Sequence, residues 1–67
     1  MQSWKDLQRE WQESEKKGRK EKRISIRFTE RQIELLREIS FRAGFEDASS
    51  YIRYLIRKDL EERARGD

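Results

Sequence analysis

Arg23, Ser25 and Arg27 are spaced two apart, and Ile24, Ile26 and Phe28 interleave with them in the run KRISIRFTE. On an extended backbone successive side chains point to opposite faces. One face of this run would carry hydrogen-bonding groups, and the other would be apolar. The polar set has a definite chemistry. An arginine guanidinium can donate two parallel hydrogen bonds to O6 and N7 of guanine, and a serine hydroxyl can donate to or accept from several base edges. The plainer alternative is that Arg23 and Arg27 protect an exposed strand edge from aggregation, which leaves the single strand without a partner.

The charge around this run points the same way. The chain has 67 residues, 46% of them charged, and a net charge of only +3. Residues 16 to 27 hold seven basic side chains (Lys16, Lys17, Arg19, Lys20, Lys22, Arg23 and Arg27) against one acidic, Glu21, for a net of +6. Residues 28 to 67 hold eight basic and nine acidic side chains, a net of −1. A positive stripe placed on one short segment suits a polyanion, and nucleic acid is the first candidate. The plain alternative for Lys16 to Lys20 alone is a solvated linker.

Other chemistries have little to work with. There is no Cys and no His. Disulfides, ordinary zinc sites and Cys- or His-based catalysis are therefore excluded. No glycine-rich phosphate loop occurs, and so short a chain has no room for a pocket that would desolvate a catalytic carboxylate. The expectation is a protein that is not an enzyme and carries no metal or cofactor. Nothing resembles a signal peptide or a membrane span, and the natural reading is cytoplasmic.

The elements that must position these residues follow one another along the chain. The alternation predicts a β-strand over 23–28. Thr29 with Gln32 three residues later reads as a capping box opening a helix over 30–43, with Leu35, Leu36, Ile39 and Ala43 as its apolar stripe. Gly44 suits a left-handed helix stop. Asp47 with Ser50 opens a second helix over 48–63, whose apolar face is Ile52, Leu55, Ile56 and Leu60. Glu38–Arg42, Arg57–Glu61, Lys58–Glu62 and Asp59–Arg63 have the spacing of helical ion pairs. Residues 1–21 form a charged extension, with a short helix over 3–14 and a basic hinge over 16–21. Trp4, Leu7 and Trp11 recur at i, i+3, i+7 and would line one narrow edge of that helix. No heptad pattern continues across Gly18 and the strand, so a long coiled coil is not expected.

A lone strand has no partner for its ladder groups, and a second copy of the chain could supply one. The strand RISIRFT, the helix ERQIELLREISFRAG and the helix DASSYIRYLIRKDL resemble, in order and length, the ribbon–helix–helix DNA-binding repressors of the Arc/MetJ-like, plasmid copy-control type. The likeness covers residues 22 to 62. It implies a mainly α fold with one short strand, in which an intertwined homodimer forms a two-stranded antiparallel ribbon that enters the major groove of double-stranded DNA. It implies a sequence-specific transcriptional repressor with Arg23, Ser25 and Arg27 on base edges. It also implies a phosphate held by the backbone N–H groups near Ala48 and Ser49, where free donors and the helix dipole favour an anion. The Asp47 carboxylate would compete for those donors. Lys22, Lys20 and Arg19 are further phosphate candidates from the basic stripe.

The extension is expected to contact protein. Trp4, Leu7 and Trp11 are large anchors of the kind that dominate interfaces, and Phe41 lies off the first core helix's own stripe. Docking of this edge, on the same dimer or on a neighbouring one in a higher-order assembly on DNA, with Phe41 in or beside the contact, is the expectation; an incidental flexible arm is the plain alternative. A second functional class is an antitoxin that binds both an operator and a toxin. The few charged residues after Leu60 count against it, because such antitoxins usually carry their toxin-binding segment there. A nickel-responsive repressor is disfavoured by the absence of His.

Overall fold

The computed structural model describes residues 2–17 and 22–67. It contains three helices: α1 at Trp4–Lys17, α2 at Glu30–Arg42 and α3 at Ala48–Arg65. Among the described residues there is no β-strand. The expected strand over 23–28, and with it the ribbon–helix–helix architecture and its two-stranded ribbon, is overturned. Residues 22–29 lead into α2 without regular structure. The physical reason is non-local. A strand is defined by the hydrogen bonds it exchanges with a neighbour, and no other described segment of this chain supplies that neighbour.

The chain divides into two compact units. One is Arg23–Tyr54, built on α2 and the start of α3. Here α2 begins at Thr29 because the Thr29 hydroxyl accepts the Gln32 N–H at 3.1 Å and the Gln32 side chain accepts the Thr29 N–H at 3.0 Å. Each satisfies a group that the helix start would otherwise leave orphaned. The helix stops in a Schellman arrangement. The Phe45 N–H reaches back to the Ser40 carbonyl at 2.9 Å and the Gly44 N–H to the Phe41 carbonyl at 3.0 Å. Gly44 provides the positive φ of 91° that this reversal requires. Ser40 is fully buried and its hydroxyl donates to the Leu36 carbonyl at 2.7 Å, so its polar atom is satisfied inside its own helix. The turn delivers the Phe45 ring onto Tyr51 and Tyr54, with centroids 5.6 and 5.1 Å away, within the range of favourable aromatic pairs.

The other unit combines α1 with the part of α3 from Leu55 to Asp67. Ser3 starts α1: its hydroxyl accepts the Asp6 N–H at 3.2 Å and its carbonyl accepts the Leu7 N–H at 3.1 Å. Asp6 near the start and Lys16 and Lys17 near the end match the helix dipole. The helix therefore runs to Lys17, taking in the first two residues of the expected basic hinge; Gly18 to Glu21 lie outside the described residues. Leu60 and Ala64 are the buried apolar residues of this unit, at 9% and 5% exposure. Leu7 and Trp11 are half-buried. The Arg63 guanidinium lies 4.8 Å from the centroid of the Trp4 ring, and the Lys5 N–H donates to the Asp67 carboxylate at 2.9 Å.

Candidate nucleic-acid interface

Lys22, Arg23, Ser25 and Arg27 are all exposed on the segment without regular structure before α2. Being close along one segment, they lie within a few residues' reach of one another whatever surface they meet. Among the described residues, none of the three cations forms an ion pair. The helices behave differently. Arg31 pairs with Glu34 at 3.1 Å, Arg42 with Glu38 at 3.1 Å, Arg63 with Asp59 at 2.9 Å and Arg65 with Glu61 at 2.8 Å. Glu61 thus takes Arg65 rather than the expected Arg57. With Arg9 and Asp6 at 3.7 Å, five arginines of the helices are compensated about one turn away, and the cations of the segment before α2 are not. Arg19 and Lys20, the remaining basic candidates, lie outside the described residues.

The apolar residues of the same segment are equally uncovered. Ile24 is 86% exposed and Ile26 61%, and Phe28, Ile33, Leu35 and Ile39 are exposed as well. Scattered exposed hydrophobics are normal on a protein surface. Here they are the majority of the large aliphatic side chains of this unit, so the unit buries too little by itself to make a core.

At the start of α3, Ala48 is half-exposed and Ser49 exposed. The Ser50 and Ser49 N–H groups there are engaged by Asp47. The Asp47 carboxylate accepts the Ser50 N–H at 2.7 Å. That bond, with the Ser50 hydroxyl and then the Arg53 charge and the Ser49 N–H, holds the Asp47 carboxyl below its ordinary value of 3.8. An anion from within the chain occupies the position where a phosphate would sit. Of the expected phosphate contacts at Ala48 and Ser49, the Ala48 N–H and the Ser49 hydroxyl are not among the groups that Asp47 engages.

In the extension, Trp4, Leu7 and Trp11 share one edge of α1, and that edge meets the stretch of α3 that includes Leu60 and Ala64. Phe41 is 80% exposed. The residue that pattern reading missed is Phe45, which brings Tyr51 and Tyr54 together. Its signal was its place directly after Gly44, where a Schellman stop favours an apolar side chain.

Among the described residues no group of acidic side chains could hold a metal ion, and no helix is long and apolar enough to cross a membrane. No family model, curated protein or solved structure matches this chain.

Proposed function

We propose that this protein is a sequence-specific double-stranded DNA-binding regulator, a transcriptional repressor acting as a homodimer, and that it grips DNA with the exposed segment from Lys22 to Arg27. The observation that carries this reading is the uncompensated charge of that segment. Among the described residues Lys22, Arg23 and Arg27 stand exposed and without ion pairs, while several helical arginines are paired within their own helices. An extended arm can follow a groove of duplex DNA, its cations releasing counterions from the phosphates and its arginine forks bonding to base edges. Resemblance of the segment and the two following helices to the ribbon–helix–helix repressors supports the DNA reading; their ribbon does not carry over. Homodimerisation is supported by the exposed Ile24, Ile26, Ile33, Leu35 and Ile39, which a second copy would remove from water. Such a protein would work in the cytoplasm, without cofactor or metal.

The test is selection of bound duplexes from a random pool at fixed salt, followed by titration at two salt concentrations. Enrichment of a short repeated half-site, with affinity falling steeply as salt rises, is expected. Arg23→Ala and Arg27→Ala should each cost about 1–3 kcal/mol of discrimination at the base they contact and leave helicity unchanged. A pool that enriches no sequence, with no salt-dependent binding to any duplex, overturns the reading.

A further inference from the structure

We propose that α1 is a removable cover over the last turns of α3, and that a second copy of the chain competes with it for the apolar row beneath. This rests on the self-association reading above and adds a second, masked interface to it. Ile56, Leu60 and Ala64 follow at intervals of four and form one row on the helix. Leu60 and Ala64 are buried, while Ile56 and its neighbour Leu55 remain exposed. The cover stops short of filling the row: a hollow of about 360 Å³ is left between Leu7, Trp11, Ile56 and Leu60.

The cover is also held lightly. No residue of α1 is itself buried. The Trp11 indole N–H is shut away from solvent without an acceptor, a cost that the docked state carries and the released state does not. The polar contacts that hold it include the Arg63 guanidinium over the Trp4 ring and the Lys5 N–H to Asp67, both at the surface. A helix of this length is marginal in water, so α1 gains order by docking but buries little to hold it there.

A second copy fits the row by charge. Arg57 and Glu61 lie along the same side of it, while Lys58 and Glu62 fall on the far face of the helix. Two such rows laid antiparallel about a two-fold axis set Arg57 of each beside Glu61 of the other, the self-complementarity that an isologous contact needs. While α1 is docked, Leu60 and Ala64 are withheld from that contact.

The experiment measures association of the full chain by sedimentation over a wide concentration range. Trp4→Ala with Trp11→Ala should lower the dissociation constant for self-association about tenfold or more, and adding Leu60→Gln should reverse the gain. Arg63→Ala with Asp67→Ala loosens the cover without touching its apolar side chains and should shift association in the same direction by less, which keeps the test open if the tryptophan variant loses helicity. If the wild-type chain associates and neither variant associates more tightly, the cover is overturned and the homodimer stands. If wild type and variants all remain monomeric, both fall.

Discussion

Replacing Gly44 by alanine isolates one physical term. The glycine has a φ of +91°, the one positive φ among the described residues. A Cβ built there meets nothing within 4 Å. The substitution therefore creates no clash, and its cost is that of holding an L-residue in left-handed backbone, about 1–2 kcal/mol. Restricting the unfolded chain gives back about 0.4–1 kcal/mol. The net loss is about 1 kcal/mol. With a urea dependence of about 1 kcal/mol per molar for so small a domain, the midpoint should fall by about 1 M. Gly44→Asn should lose less, because asparagine tolerates this region better than alanine. Gly66 is the internal control: its φ is not positive, and an added Cβ would sit at an ordinary 3.6 Å from the Arg63 carbonyl. Gly66→Ala should leave the midpoint unchanged or slightly raised. Urea unfolding followed by circular dichroism reads all three variants. Equal midpoints for the Gly44→Ala and Gly66→Ala proteins would refute the reasoning, because the turn would then not be held in the Schellman geometry that delivers Phe45 to Tyr51 and Tyr54.

Three further outcomes are expected. Thr29→Ala removes the hydroxyl half of the capping box and should cost about 0.5–2 kcal/mol in thermal melts; Gln32→Ala should lose only part of that. The Asp47 carboxyl titrates below its ordinary 3.8 in the folded chain, so its contribution is complete above that value and is lost as pH falls through the lowered folded one. Helicity followed by circular dichroism should decline over that acidic window, and Asp47→Asn, which caps without titrating, should flatten the decline. Ile26→Gln should weaken self-association in sedimentation while leaving the helicity of the single chain intact, since Ile26 is 61% exposed there; a loss of helicity in the dissociated chain would place Ile26 in a core the fold does not show.

What could be read from the residues alone is what depends on neighbours three or four positions away. Thr29 with Gln32, Asp47 with Ser50, and Gly44 announce helix starts and a stop because their hydrogen bonds close within a single turn. The narrow edge of Trp4, Leu7 and Trp11 is equally local, since it follows from the helical repeat of about 3.6 residues per turn. What the edge rests on is not. Leu60 and Ala64 lie at the far end of the chain, and nothing in the spacing of the tryptophans names them as partners. The alternation of Ile24, Ile26 and Phe28 with Arg23, Ser25 and Arg27 shows the same division. A period of two says which way each side chain points if the backbone is extended. Whether that backbone becomes a strand depends on a second backbone alongside it. Among the described residues there is none, so the segment stays unpaired with its isoleucines and arginines in solvent.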